Sequence, residues 1–95
     1  MAAKPVLRIK QAHRGGVIEI VVWDVPAPVR PSVHGFKYRL VFVRSGKRMV
    51  GYDNEFGKGD HRHIGEVETP YRFIDVDTLL ADFWRDVTEA TRGRF

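Results

Sequence analysis

The sequence of 95 residues contains no cysteine and no apolar run long enough to cross a membrane. The lack of cysteine excludes disulfide-stapled folds and zinc sites with thiolate ligands. A membrane-spanning helix needs about 20 consecutive apolar residues, and residues 1–5 lack the apolar core of a signal peptide. P-loop and Rossmann glycine patterns are also missing. We therefore expect a cytoplasmic protein without a membrane segment, and we predict no cofactor.

The length and the charge distribution indicate one domain with two electrostatically different halves. A single domain over residues 1–95 has room for one modest core. Residues 1–48 hold ten lysines and arginines against two acids, a net charge of +8, whereas residues 49–95 hold six against ten acids, a net charge of −4. A basic half suits a polyanion such as RNA, and an acidic half suits a different partner.

Apolar and polar residues alternate along five segments, which is the pattern of half-buried β-strands. Glycine-containing turns join the first segment to the second and the third to the fourth, so two hairpins are predicted. Three prolines lie between positions 25 and 31, and they lack the backbone N–H groups that donate hydrogen bonds within a sheet. We therefore predict a stiff surface connection between the hairpins. The predicted strands are Val6–Gln11, Val17–Asp24, Phe36–Val43, Arg48–Tyr52 and His61–Val67.

A helix is predicted near the C-terminus, where apolar residues recur with the helical period. Asp77 suits the N-cap, or Asp75 if the helix begins a turn earlier. Asp86 is expected on the polar side of this helix, and residues 92–95 are expected to fray. The predicted apolar stripe comprises Leu79, Leu80, Phe83, Trp84, Val87 and Ala90.

Together these elements predict an α+β fold, in which an antiparallel sheet of four to five strands carries one C-terminal helix packed on one face. We expect Trp23 to contribute to the core rather than to lie exposed as a stacking platform. A single helix covers one face only, so the other face is expected to stay open. That face carries Arg8, Lys10, Lys37 and Arg39 and is basic.

The stretch Gly51–Gly65 concentrates polar chemistry in a way that the rest of the chain does not. The apolar alternation stops there, and two glycines give the backbone around Lys58 unusual freedom. Polar loops between regular elements often carry binding and catalytic residues, so we predict a functional site here. In an extended strand His61 and His63 share one face, whereas Arg62 points to the other. The polar residues are Asp53, Asn54, Lys58, Asp60, His61, Arg62 and His63.

Several short runs in this chain resemble the TumE family of small prokaryotic toxins. The resemblance covers roughly residues 36–88 and implies a toxin encoded beside an antitoxin, which often carries a helix-turn-helix. It specifies no reaction, so the chemistry must be inferred from the residues. The matching runs are GYDN at 51–54 and GKGDHRH at 57–63, which are the most specific, with YRLV at 38–41, PYRF at 70–73 and LADFW at 80–84.

The residues favour metal-independent RNA cleavage, in which a 2′-hydroxyl attacks the adjacent phosphate. This reaction needs a base, an acid and cations around the phosphate. Histidine can take either proton-transfer role near neutral pH, so His61 and His63 are predicted as catalytic, with Asp53 orienting one of them. We expect these three and Asn54 to converge at one rim of the sheet, and we assign no metal ligand. The predicted substrate-binding residues are Asn54, Lys58, Arg62, Lys37 and Arg39.

Two alternatives stay open at this point. His61 and His63 form a His-x-His pair that, with Asp53 and Asp60, would suit a divalent ion in a metal-dependent nuclease. The other alternative is a non-catalytic module, whose basic face binds RNA or whose acidic helix binds a protein. The sequence shows no pair of recognition helices, which argues against sequence-specific DNA binding.

Overall fold

Six β-strands and one α-helix form the protein, whose computed structural model describes residues 2–92. No helix among these residues is long and apolar enough to span a membrane. The strands are β1 (Lys4–His13), β2 (Gly16–Asp24), β3 (Phe36–Arg44), β4 (Lys47–Glu55), β5 (Gly59–Ile64) and β6 (Val67–Pro70), and the helix α1 is Val76–Thr91.

The strands form one antiparallel sheet in chain order, from β1 to β6. The α+β class and the single C-terminal helix are confirmed, but the prediction of four to five strands is wrong, because the described residues form six. The difference arises in residues 61–67, which alternation alone assigns to one strand. Gly65 has a φ of +57° and reverses the chain. Ile64 therefore pairs with Val67, and β6 becomes an exposed edge strand.

Apolar side chains from one face of the sheet and from α1 form the core. Asp75, one of the two candidate caps, is the N-cap, and its side chain accepts a hydrogen bond from the Thr78 N–H at 2.7 Å. The predicted apolar stripe of α1 faces the sheet, with Leu80 and Trp84 only partly buried. Arg92 is the C-cap, and the rest of the predicted frayed tail lies outside the described residues. The buried residues are Ile18, Ile20, Val22, Tyr38, Leu40, Phe42, Val50, Tyr52, Leu79, Phe83, Val87 and Ala90.

Two side chains lie elsewhere than the sequence pattern predicts. Asp86, expected on the polar side of α1, is buried against the sheet. Arg62 donates hydrogen bonds of 2.7 and 2.9 Å to its two carboxylate oxygens, which compensates for the burial. Trp23, expected in the core, pairs with Lys37 on the open face and lies 6.0 Å from the Arg8 guanidinium. Alternation along β2 places Ile18, Ile20 and Val22 in the core and Trp23 on the opposite face.

The proline-rich connection between β2 and β3 packs against the turn that follows β4. The Gly57 N–H donates a hydrogen bond to the Arg30 carbonyl oxygen at 2.7 Å. Gly59 has a φ of +80°, and a Cβ atom there would lie 3.2 Å from Pro31. Any larger residue would meet both the backbone strain and this contact. The connection therefore fixes the position of the turn that carries Lys58.

A hydrogen-bonded network around Asp60 holds the same connection to the sheet. Ser32 and Tyr38 donate hydroxyl hydrogen bonds to its carboxylate. The Phe36 N–H donates to His34 Nδ1, so the neutral His34 ring carries its proton on Nε2, which lies 2.7 Å from Asp60 Oδ2. Burial would raise the pKa of Asp60, but these hydrogen bonds outweigh it and lower that pKa. Asp60 is therefore an anchor of the fold.

Candidate functional site on the open face of the sheet

Asp53, His61 and His63 lie together on the face of the sheet that α1 leaves open. Asp53 pairs with His61 and Gly51 with His63 in the β4–β5 ladder, and residues two apart along a strand share a face. His63 Nε2 lies 3.7 Å from Asp53 Oδ1. The stretch predicted as a loop is mostly a hairpin, whose turn is residues 56–58. Its open side is a polar cleft of about 320 Å³ lined by Arg48, Asp53, Glu55, Lys58, His61, His63 and Glu68.

Glu68 of β6 lies at the centre of this cleft. Its Oε2 atom is 3.4 Å from His61 Nδ1 and 3.4 Å from His63 Nε2. The Lys58 ammonium lies 3.9 Å from the same oxygen. The strand register brings the carboxylate here, because Glu68 pairs with His63 in the β5–β6 ladder. One oxygen atom thus marks a point that both imidazoles face.

Neighbouring groups determine which nitrogen of each histidine carries the proton in the neutral ring. The Lys58 carbonyl oxygen lies 2.6 Å from His61 Nε2 and can only accept, so the proton is on Nε2 and Nδ1 is free. That Nδ1 atom is buried and has no hydrogen-bond partner among the described residues. Arg48 Nη2 donates to His63 Nδ1 at 3.0 Å, so the His63 proton is on Nε2. The cleft is therefore bordered by one imidazole acceptor and one imidazole donor.

Gly51 leaves the space through which Arg48 reaches His63. A Cβ atom at position 51 would lie 3.0 Å from Arg48 Cδ and 3.5 Å from His63 Cβ. The first distance is tighter than an ordinary van der Waals contact, so a side chain there would displace the arginine. Met49 is an extra residue in the β3–β4 ladder, because Val50 and Arg48 pair with consecutive residues of β3. This bulge brings Arg48 to the same face as Gly51.

Three of the predicted substrate-binding residues lie on the open face. Lys58 lines the cleft. Arg39 lines a broader groove of about 890 Å³, which shares Arg48 with the cleft. Lys37 lies farther along β3, where its ammonium donates a hydrogen bond to the Asn54 carbonyl oxygen. The groove is lined by Arg39, Lys47, Arg48, Met49, Gly65 and Glu66.

Asn54 and Arg62, also predicted to bind substrate, point to the opposite face. Asn54 is fully buried, and its side chain accepts a hydrogen bond from the Tyr38 N–H at 2.9 Å. Arg62 is paired with Asp86 beneath α1. Burial alone would raise the pKa of Asp86, but hydrogen bonds from Arg62 and Tyr52 outweigh it and lower that pKa. In this arrangement both predicted residues stabilise the fold and lie away from the cleft.

Residues 2–92 do not supply the complete ligand set that the alternative of a metal site requires. Asp60, considered as the fourth ligand, lies on the face opposite His61 and His63 and is hydrogen-bonded to Tyr38. Among residues 2–92 no group of three or more histidine, cysteine, aspartate or glutamate side chains is arranged to hold a metal ion.

Three residues of the cleft, Arg48, Glu55 and Glu68, were missed by sequence reasoning. Strict alternation puts Arg48 on the face opposite Gly51, and the bulge at Met49 reverses that assignment. Glu68 becomes a neighbour of His63 only once Gly65 is recognised as the turn of a further hairpin. A glycine between two short alternating segments was the one available signal.

The sequence as a whole is similar to one family of known proteins. Residues 3–91 match the family described as Toxin TumE. None of the curated proteins and none of the solved structures compared with the chain is significantly similar to it. The family match spans all six strands and α1, including every residue that lines the cleft. The protein therefore belongs to the TumE family of toxins.

Proposed function

We propose that this toxin is an endoribonuclease that cleaves RNA by acid–base catalysis from His61 and His63, without a metal ion. One observation carries the proposal: His61 Nδ1 and His63 Nε2 converge on a single point, since each lies 3.4 Å from Glu68 Oε2. In the neutral rings one of these nitrogens is a hydrogen-bond acceptor and the other is a donor, and uptake of one proton by His63 makes its ring the acid of the reaction. Phosphoryl transfer from RNA requires this combination of a base and an acid.

Each proton transfer of RNA cleavage has a matching group in the cleft. His61 Nδ1 removes the proton from a ribose 2′-hydroxyl, and the oxygen forms a bond to the adjacent phosphorus. The bond from phosphorus to the 5′-oxygen breaks, and His63 in its imidazolium form gives the Nε2 proton to that leaving oxygen and becomes neutral. The products are a 2′,3′-cyclic phosphate and a 5′-hydroxyl. Exchange with water returns both histidines to their starting protonation states.

Charged neighbours support the two histidines in this reaction. Lys58 and Arg48 border the cleft and would stabilise the negative charge that gathers on the phosphate oxygens. In the RNA-free protein with neutral His63, Arg48 also fixes this ring through its hydrogen bond to Nδ1. Asp53, 3.7 Å from His63 Nε2, orients the ring from the other side. The three residues predicted as catalytic from the sequence thus keep those roles in the proposal.

The proposed substrate is single-stranded RNA that lies in the basic groove beside the cleft. Arg39, Lys47 and Arg48 outnumber the single acid of this groove, Glu66. Because the groove and the cleft share Arg48, phosphates that flank the cleaved one would contact the groove. Single strands present flexible phosphates and unstacked bases together. Their affinity should fall with rising salt, since lysine and arginine contacts release counterions from the RNA.

Membership of a toxin family implies an antitoxin partner, and we propose that this antitoxin covers the basic groove with acidic side chains. The helix α1 is a weaker candidate for the docking surface than its sequence suggests, because Asp86 is paired with Arg62 and Asp82 accepts a hydrogen bond from Tyr71. Oppositely charged surfaces also associate rapidly. The helix-turn-helix expected of the antitoxin would then remain free to bind DNA.

Substitution of the two histidines tests the proposed reaction. His61→Ala and His63→Ala should each relieve growth arrest and lower RNA cleavage by about 10²–10⁴-fold, the usual contribution of one acid or base. The measurement combines induction in cells with cleavage of labelled RNA by purified protein. His13→Ala is a matched control, because His13 packs against Trp84 away from the cleft.

The same experiment separates the proposal from the non-catalytic alternative. Both cleft variants should remain folded, as judged by circular dichroism and thermal melting, and should still bind RNA. Full toxicity of both single variants and of the double variant would contradict acid–base catalysis. It would favour a module that acts by binding alone.

A further inference from the structure

We propose that the Glu68 carboxylate occupies the phosphate subsite of the cleft in the RNA-free protein and is displaced when RNA binds. This inference rests on the proposed function, in which a phosphodiester enters the cleft, and it identifies what the phosphate must replace. Glu68 Oε2 faces Lys58 Nζ, His61 Nδ1 and His63 Nε2 at 3.9, 3.4 and 3.4 Å. A phosphate oxygen in this place would be attracted to the Lys58 ammonium and to the Nε2–H of His63, and the 2′-hydroxyl beside it would donate to His61 Nδ1.

The distances around Glu68 describe a loosely held carboxylate. Hydrogen bonds between nitrogen and oxygen span about 2.7–3.2 Å, and all three contacts of Oε2 are longer than that. The Asp86 carboxylate is held more tightly, because Arg62 donates hydrogen bonds of 2.7 and 2.9 Å to it. The Asp86 side chain is only 3% exposed. The Glu68 side chain is 38% exposed. Exposed ion pairs contribute little to stability, so a ligand can replace this one.

The position of Glu68 in the fold allows it to leave the cleft. It lies on β6, the edge strand, all four residues of which are exposed. Rotation about its own side-chain bonds moves the carboxylate into solvent without breaking the β5–β6 ladder. No rearrangement of the core is needed, because the core residues lie on the other face of the sheet.

The negative charge of Glu68 opposes the binding of an anion in the cleft. With neutral histidines the cleft holds Arg48 and Lys58 against three carboxylates, those of Asp53, Glu55 and Glu68. Displacement of Glu68 removes the negative charge nearest to both imidazoles and leaves equal numbers of cations and carboxylates at the subsite. The carboxylate also faces the free Nδ1 of His61, so its departure exposes the atom that the proposed mechanism uses as the base.

Glu68→Gln tests the inference, with Glu89→Gln as the matched control. Both variants remove one negative charge, and Glu89 lies on α1, which packs on the other face of the sheet from the cleft and the groove. The probe is a short single-stranded RNA with 2′-fluoro sugars, which lacks the attacking hydroxyl and cannot be cleaved. We expect the dissociation constant of Glu68→Gln to fall about tenfold, as for the loss of one repulsive charge near a phosphate, and that of Glu89→Gln to change by about twofold or less.

Imidazole NMR signals supply a second readout. Inorganic phosphate should shift the signals of His61 and His63 at lower concentrations in Glu68→Gln than in the wild type. Equal affinities of Glu68→Gln and Glu89→Gln for the uncleavable RNA would overturn the inference. So would a loss of cleavage at unchanged affinity, which would make Glu68 a residue that positions the histidines.

The experiment also distinguishes this inference from the proposed function. Tighter binding by Glu68→Gln in a protein that cleaves no RNA would support the phosphate subsite and contradict the ribonuclease. Cleavage by the wild type with no gain in affinity for Glu68→Gln would support the ribonuclease and contradict displacement. Glu68 is exposed on an edge strand, so the variant is expected to fold, and thermal melting checks this.

Discussion

Arg62→Met separates a structural role for Arg62 from the substrate-binding role that the sequence suggests. The substitution keeps most of the aliphatic stem and removes the guanidinium. In the native protein that guanidinium donates hydrogen bonds of 2.7 and 2.9 Å to Asp86, whose side chain is only 3% exposed. Without them Asp86 is left with the Tyr52 hydroxyl and a more distant Arg85. We expect the variant to lose folding stability but to retain RNA binding and RNA cleavage.

The structure also indicates the size of this loss. Removal of one partner of a buried ion pair typically costs about 3–5 kcal/mol. The lower end of this range applies to Arg62→Met, because the Arg62 side chain is 32% exposed and the Tyr52 hydroxyl still donates a hydrogen bond to Asp86. A loss of about 3 kcal/mol lowers the melting temperature of a domain of this size by roughly 12–24 °C. Typical domain stabilities are about 5–15 kcal/mol, so the variant should stay folded in the cold.

Urea unfolding at neutral pH measures this loss, and Arg85→Met is its control. Arg85 also lies near Asp86, with its Nε 3.6 Å from Oδ1, but its side chain is 59% exposed. Its loss should therefore cost less than about 1 kcal/mol. Folded Arg62→Met should bind and cleave RNA like the wild type. Unchanged stability together with a loss of RNA binding would refute the structural reasoning and return Arg62 to the substrate site.

Two further predictions concern acid stability and the antitoxin. The pKa of Asp86 is lowered by folding, so its ionised form stabilises the protein above the unfolded value near 4, and this contribution is lost as pH falls through the folded pKa. The free energy of unfolding, measured with urea between pH 7 and pH 2.5, should decrease with falling pH below pH 4. The decrease should be smaller in Asp86→Asn by up to about 1.4 kcal/mol per pH unit, and equal decreases in the two proteins would contradict this. Lys37→Glu with Arg39→Glu should weaken both RNA and antitoxin binding and make antitoxin association less sensitive to salt. Unchanged antitoxin affinity in a variant that no longer binds RNA would instead point to α1 as the docking surface.

Strand and helix positions follow from the sequence because local periodicity encodes them. Alternation along residues 36–43 predicts β3 closely, and the apolar stripe predicts the buried face of α1. The sixth strand depends on the conformation of one residue, Gly65, which periodicity does not reveal. The burial of Asp86 depends on Arg62, a partner 24 residues away in sequence. Long-range pairing of this kind leaves no trace in a local pattern.

The candidate site could be predicted only in part for a related reason. The two-residue period places Asp53, His61 and His63 on one face, and the ladder between β4 and β5 brings them together. The same period places Asn54 on the opposite face. The sequence prediction grouped Asn54 with the site residues by its polar side chain and did not apply this alternation. Glu68 joins the cleft through strand register, which depends on the lengths of two turns. The sequence prediction included Asp53, Lys58 and the two histidines of the cleft, whereas Arg48, Glu55 and Glu68 are recognised as their neighbours only from the fold.

The RNA ends that the purified protein produces in EDTA test the central claim most directly. Mass spectrometry of the fragments should find 2′,3′-cyclic phosphate and 5′-hydroxyl ends for the wild type. The His61→Ala/His63→Ala double variant should give no fragments above background. Activity that EDTA abolishes, with 3′-hydroxyl and 5′-phosphate ends when divalent ions are restored, would contradict metal-independent catalysis by the two histidines.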